Sequence, residues 1–476
     1  MDKKNMVLVG VASFLIGGVV TYSGTQFLDS SEAKIKYVKE SSEGTTESIV
    51  KIQKAYDLIA NNYYKDVESD ELTEGAIAGM LDKLEDPYST YMDKETANQF
   101  SQSLDSSFEG IGAEVGSRDG KIIIVSPIKD SPAEKAGLKP NDEITKINDK
   151  TTKGLSLNEA VVKIRGKKGS KVKLEVHRPG EKDPINLTLV RDTIPRLTVY
   201  SDVKKENGKD IGYLQITSFS EETAEEFKTE LDKLEAKNID GLVLDVRGNP
   251  GGYLPTVEGI LDQLVTNKKP YVQIENREGK REKVSSQNKT KKEYPIVVLT
   301  DGGSASASEI LAGALKEVEG YATVGEKTFG KGTVQSTAQM GDGSNIKLTI
   351  SKWLTPDGNW IHGKGIAPTY EVKQPEYFYV TPMDIKETLK YDDNNVQVKR
   401  AQVMLDAIGY EPGREDGYFS KETETAVKAF QTAHGLTVTG RINKETAEKM
   451  HAEVLVKIKD VNNDLQLKSA IKIVAK

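Results

Sequence analysis

Three short turns rich in glycine and serine hold the residue types from which a catalytic site can be built: RGNPGG at 247–252, GGSASAS at 302–308 and TFGKGTVQ at 328–335. Each follows an apolar run of strand character (LVLD, PIVVLT, ATVGE). In an open α/β sheet, ligands gather at the carboxyl ends of the strands. The second turn runs straight into a helical segment at 309–318. Such a helix directs its N-terminal amides and the positive end of its dipole at the turn. A serine placed there can attack a carbonyl, and the amide of the following residue can help hold the resulting oxyanion.

A serine hydroxyl is a weak nucleophile and needs a base. The chain has four histidines. His177 lies in a β-rich segment, and His434 and His451 lie in a helical C-terminal part. Only His362, in the loop DGNWIHGKG, belongs to the α/β region, so a Ser-His-Asp triad has to pass through it. Lys331 is the better base. It sits between Gly330 and Gly332 among apolar or neutral neighbours. Burial lowers a lysine's pKa, and the neutral amine can then take up the serine proton. Gln335, four residues on, can hydrogen-bond that amine and orient it. A lysine in a glycine turn also suits a phosphate, but the spacing G-x-x-x-x-G-K-[ST] is absent. A glycine-serine turn alone is mostly just a turn. The specific signal is the combination: three such turns at strand ends, one with serines before a helix and one with a central lysine.

The elements that must position these turns follow from the rest of the chain. Its 476 residues suggest about three domains. The net charge of -7 disfavours a mainly nucleic-acid-binding role. The absence of cysteine removes a thiol nucleophile, a disulfide framework and a cysteine-ligated metal. Lys3 and Lys4 precede an apolar run at 6–22. Residues 1–24 therefore read as an export signal or membrane anchor that leaves the remainder outside the cytoplasm, and 25–44 as a polar linker. From 45 to 105, apolar residues recur at helical spacing (Ile49, Ile52, Ala55, Tyr56, Ile59, then Ile77, Met80, Leu81, Leu84) until Asp86-Pro87 stops the pattern. Residues 106–180 alternate short β runs with turns and one helical stretch at 157–164. After a connector at 181–194, the span 195–390 alternates β runs with helical segments, as in an α/β domain with a partly parallel sheet. Residues 396–452 are helical again, and 453–476 are expected to pack back on the body. The fold class is a multidomain α/β chain.

The strings GSASASEILAGAL and GEKTFGKGTVQ resemble, at the same spacing, the serine and lysine motifs of the carboxy-terminal processing (tail-specific) proteases. The resemblance covers nearly the whole chain after the N-terminal segment. It implies Ser306, the middle serine of SASAS, as nucleophile, Lys331 as base and Gln335 as its support. It also implies that RGNPGG is the oxyanion turn, with Gly252 and the amide of Ala307 as donors and Gly251 left open. The 106–180 module resembles a PDZ domain, with SPAEKAGLKPNDEITKIN typical of those in such proteases. There Gly110, Ile111, Gly112 and Ala113 match the loop that receives a peptide's C-terminal carboxylate, and the next strand would extend the peptide by strand addition. LDKLEDPYSTYMD resembles the segment before that domain. DGYFSKETETAVKAFQTAHGL resembles a small three-helix peptidoglycan-binding domain, and the domain order suggests the Gram-positive branch.

By that resemblance the chain is an exported or membrane-anchored endopeptidase with a Ser-Lys dyad that cuts proteins near their C-termini, with no metal or cofactor. Its expected partners are a protein or peptide with a free C-terminus, peptidoglycan, and a second copy of the chain joined through the N- and C-terminal helices; nucleic acid is not among them. Arg165, in the basic turn IRGKKGS, is a candidate gating residue that would pair with an acidic or carbonyl partner on the catalytic domain. The alternative is a catalytically silent scaffold that keeps a PDZ domain and a wall-binding domain on an inert protease fold.

Overall fold

The computed structural model describes residues 43–118 and 120–476. The apolar run at 6–22 lies outside them. Among the described residues no helix is long and apolar enough to cross a membrane.

The strands Gly241–Asp245 and Ile296–Thr300 are buried along their whole length. A strand apolar on both faces belongs inside a parallel sheet covered from both sides. These two are the central neighbours of a six-stranded sheet, in the order Val199–Glu206, Lys209–Ile216, Gly241–Asp245, Ile296–Thr300, Ala322–Gly325, Tyr370–Glu371. The first pair is antiparallel and the others are parallel. Helices Thr223–Glu235, Leu254–Leu264 and Ala307–Glu319 cover one face, packing Leu231, Ile260 and Leu311 on Leu214, Leu244 and Val298. The last helix, Leu465–Val474, covers the other, setting Leu467, Ile471 and Val474 against Val243, Val297 and Leu299. Full burial of each such side chain contributes about 2 kcal/mol. The helix begins at Asp464, whose carboxylate pairs with Arg247 at 2.8 Å, while Arg247 also pairs with Asp245 at 2.6 Å. The end of the chain is thereby tied to the start of the 247–252 turn.

A second sheet holds Thr90–Met92, Asn345–Leu354, Val272–Glu275 and Arg281–Val284, with Thr333–Gln339 also paired to Asn345–Leu354. All its pairings are antiparallel. The SNIKLTIS run belongs here and not in the parallel sheet. Lys331 therefore lies where the chain leaves the last long parallel strand and enters the second sheet.

The PDZ-like module is a sheet of Ala113–Arg118, Lys121–Pro127, Glu143–Ile147, Lys171–His177 and Ile185–Val190, with helix Leu157–Ile164 packed on it. The strand Ile185–Val190 pairs along Lys171–His177 and buries Leu189. The module's sheet thus ends at 190 and not at 180, because the alternating INLTLV run after the turn at Gly180 is one of its strands. Ser107–Gly110 and Asp192–Pro195 pair with each other where the chain enters and leaves the module. Helices Glu43–Asn62 and Ser69–Asp82 leave Ile49, Ile52, Ile59 and Met80 exposed. Helices Val396–Ala407, Lys421–Ala433 and Lys444–Lys459 surround a separate core of Val398, Met404, Phe419, Phe430 and Met450.

Candidate active site

Ser306 stands immediately before helix Ala307–Glu319, with φ 54° and ψ -113°. This is a backbone conformation that a residue with a side chain adopts only when its surroundings impose it. The neighbours supply that constraint. Ser304 Oγ donates to the Val246 carbonyl at 2.8 Å, and Ser308 Oγ donates to the Asn249 carbonyl at 2.9 Å. The Ala305 amide donates to the same Asn249 carbonyl at 3.0 Å. Ser304 and Ser308 are buried, whereas Ser306 is half-buried. Among the described residues its hydroxyl donates no hydrogen bond. Of the three serines in SASAS, two donate to the backbone at 246–249 and one keeps its hydroxyl proton uncommitted.

Glu309, one turn into the helix, is fully buried. Its carboxylate accepts the amides of Ser306 at 2.9 Å, Gly330 at 2.7 Å and Lys331 at 2.8 Å, and the Thr328 hydroxyl at 2.6 Å. Bonds to an ionised acceptor are the strong ones, so a single side chain clamps the serine turn to the lysine turn. The carbonyls on the other side of the lysine are also taken: Trp353 Nε1 donates to Lys331 O and Trp360 Nε1 to Gly332 O, each at 2.8 Å. The two flanking glycines are required by close approach. A Cβ on Gly330 would lie 2.9 Å from the Gly365 amide nitrogen, and one on Gly332 would lie 2.8 Å from that of His362.

The Lys331 side chain has a different environment. Its Nζ lies 5.2 Å from the centre of the Tyr88 ring and donates no hydrogen bond among the described residues. Burial holds its pKa below the usual lysine range, the Lys347 charge adds to the effect, and the Asp86 and Glu309 carboxylates oppose it. The neighbourhood is therefore less neutral than the local sequence implies, since Asp86 and Lys347 arrive from distant segments. Gln335 donates through Nε2 to Thr333 Oγ1 at 2.9 Å and Thr349 Oγ1 at 3.1 Å. Its carbonyl oxygen accepts nothing among the described residues. His362 stacks on Trp360, with ring centres 5.2 Å apart and planes at 11°, and meets Tyr88 edge-on. Its buried Nδ1 has no hydrogen-bond partner among the described residues. Among the described residues no carboxylate hydrogen-bonds it, so the orienting member of a triad is missing.

In the 247–252 turn, Gly251 has φ 103°, and a Cβ there would lie 2.8 Å from Ser306 Cβ and 3.1 Å from the Ala307 amide nitrogen. The Gly251 amide is engaged by Asn249 Oδ1 at 2.9 Å. Gly252 is exposed. Among the described residues, the amides of Gly252 and Ala307 donate to no protein acceptor.

Two expected sites lie away from this cluster. In the PDZ loop, the Ile111 carbonyl accepts the Ala133 amide at 2.8 Å and the Gly112 carbonyl accepts the Ile128 amide at 2.9 Å. The amides of Ile111 and Gly112 have no protein acceptor among the described residues. Gly110 ends the entering strand, and Ala113 opens the strand paired with Lys121–Pro127. Arg165 packs on the Phe108 ring, 5.0 Å from its centre, and donates to Gln102 Oε1 at 3.4 Å. Its partner is thus on helix Lys94–Leu104, which leads into the module, and not on the protease core. Sequence reasoning missed Glu309, Asp86 and Tyr88. The spacing Ser306-x-x-Glu309 is the usual helix-start signature and could have flagged the first. No local signal marks the other two.

The model of peptidase family S41 matches residues 210–372, the span that holds all three turns. Models of the activating protease CtpB N-terminal domain, a PDZ domain and a putative peptidoglycan binding domain match 14–96, 110–189 and 394–450. The carboxy-terminal processing protease CtpB of Bacillus subtilis strain 168 is 54% identical over 475 residues, 99% of each chain. The chain belongs to the carboxy-terminal processing proteases of peptidase family S41. The CtpA protease of the same organism is 45% identical over 462 residues, 97% of each chain. A solved structure of the photosystem II D1 C-terminal processing protease aligns with a TM-score of 0.42 at 27% identity, over 68% of this chain and 92% of that one. As a member of this family the chain is a serine protease with a PDZ domain and a peptidoglycan-binding-type domain around its α/β core.

Proposed function

We propose that the chain is an endopeptidase in which Ser306 and Lys331 form a catalytic dyad that cleaves proteins near their C-termini. Ser306 Oγ attacks the scissile carbonyl carbon while neutral Lys331 takes its proton. The amides of Gly252 and Ala307 hold the oxyanion. On collapse the amine leaves with the proton from Lys331, and water then hydrolyses the acyl-enzyme by the same transfers in reverse order. The observation that carries this reading is the Ser306 hydroxyl, which donates no hydrogen bond among the described residues, at a strained helix start clamped through Glu309 to the turn of a lysine whose pKa is depressed. The committed amide of Gly251 favours Gly252 as donor, and the unoccupied carbonyl oxygen of Gln335 suits a role in orienting the amine.

In the same reading, the loop at Gly110, Ile111, Gly112 and Ala113 takes the substrate's free carboxylate on its amides, and Arg165 takes part in gating through the helix it contacts. The match of 394–450 to a putative peptidoglycan binding domain suits attachment to the cell wall, and the apolar N-terminal run suits an enzyme outside the cytoplasm, anchored or secreted. The exposed Ile49, Ile52 and Ile59, with Leu455 and Val456 on helix Lys444–Lys459, suit a homodimer. The test is active-site labelling. A fluorophosphonate should modify the full chain at Ser306, and Ser306→Ala should abolish both label and peptide cleavage without loss of folding. A folded wild-type protein that takes no label and cuts no peptide would support the silent scaffold.

A further inference from the structure

The segment between the N-terminal helices and the PDZ domain docks beside the lysine turn. Asp86 shapes a tight turn, accepting the Tyr88 amide at 3.1 Å and the Ser89 hydroxyl at 2.6 Å. The next three residues form strand Thr90–Met92, which pairs with Asn345–Leu354 in the register Thr90 to Lys347. Ser89 Oγ accepts the Thr349 amide at 3.0 Å, and Thr349 Oγ1 in turn accepts from Gln335. This short docking brings the Tyr88 ring within 5.2 Å of Lys331 Nζ and against the edge of His362. Burial and the nearby carboxylates of Asp86 and Glu309 raise the Tyr88 pKa, so at neutral pH the ring faces the lysine as a neutral phenol.

The charges facing Lys331 come from three elements: Asp86 from this turn, Glu309 from the helix after Ser306 and Lys347 from the long strand. Glu309 has both oxygens occupied by the two turns it clamps. Asp86 and Lys347 are therefore left acting on the amine in opposite directions. We infer that Tyr88 and Asp86 are positioning residues for Lys331, the ring walling the amine from water and directing it, the carboxylate fixing the ring's turn and balancing Lys347. The inference rests on the Ser-Lys reading. It makes the competence of the base depend on how the segment ahead of the PDZ domain is docked.

The test measures peptide cleavage by the full chain across pH, with melting as a check on folding. Tyr88→Ala should lower kcat about tenfold, the scale of a partly buried cation–π contact, with KM little changed, and Tyr88→Phe should restore most of it. If Tyr88→Ala does not fold, Tyr88→Leu carries the same comparison. An adjacent anion favours the charged amine, so Asp86→Asn should move the rising limb of kcat/KM to lower pH. Lys347→Ala should move it to higher pH. Wild-type kcat in the Tyr88 variants together with unmoved limbs in the other two would overturn the inference while Lys331→Ala remained inactive. An active Lys331→Ala would instead overturn the dyad beneath it.

Discussion

The serine turn and the lysine turn are held in opposite ways. Around Ser306, side chains do the holding: Ser304, Ser308 and Asn249 spend their polar atoms on backbone, and one hydroxyl is left over. Around Lys331, the lysine turn's own backbone is what is held. Its amides go to Glu309 and its carbonyls to two indoles, while the long side chain is left against an aromatic ring. The contrast suits the two proposed roles. A nucleophile has to stay at one point and in one rotamer. A base has to change charge, so its surroundings must set the balance between two protonation states without fixing either.

The largest effect should come from removing the group both turns share. Glu309→Ala leaves four donors unpaired in a buried place. Breaking a buried charged network of this kind costs about 3–5 kcal/mol. The core should melt earlier and cleavage should vanish; a variant that melts and cleaves like wild type would mean the turns are not clamped together. Gln335→Ala acts on the lysine side alone. It should lower kcat about tenfold, less than the roughly hundredfold loss at the low end for a group that itself transfers the proton, with melting unchanged. An unaltered kcat would remove Gln335 from the orienting role. The smallest effect belongs to the serine side. Ser308→Ala deletes one bond to Asn249 O, worth about 1 kcal/mol, and should lower stability by that much while cleavage falls only a few-fold. Were Ser308→Ala as inactive as Ser306→Ala, the choice of nucleophile within SASAS would have to be reversed.

The parts legible in the sequence are those whose signals are contiguous. The runs GLVLD and PIVVLT read as strands because consecutive apolar residues with no polar face suit burial on both sides of a sheet, and the turns after them follow as the place for a site. The choice among Ser304, Ser306 and Ser308 was not legible from periodicity, since it is made by where the outer two donate. Only the family resemblance selected the middle one. The surroundings of Lys331 were hidden for another reason. Thr90–Met92 is three residues long, too short for an alternating pattern, yet its pairing delivers Tyr88 and Asp86. The expectation that 453–476 packs back on the body does not say which face it covers, because that face is not a local sequence property. That face is the side of the parallel sheet, Val243, Val297 and Leu299, which no other helix covers among the described residues.

In the proposed mechanism Lys331, and not His362, takes the proton from Ser306. The most direct test is the pH dependence of peptide kcat/KM for wild type, Lys331→Arg and His362→Ala. A neutral amine is required, so wild-type activity should rise with pH through the lowered pKa of Lys331. Lys331→Arg should be inactive throughout, because arginine keeps its proton, and His362→Ala should retain the wild-type limb. A cleaving Lys331→Arg enzyme, or a folded His362→Ala variant as inactive as Ser306→Ala, would contradict the account.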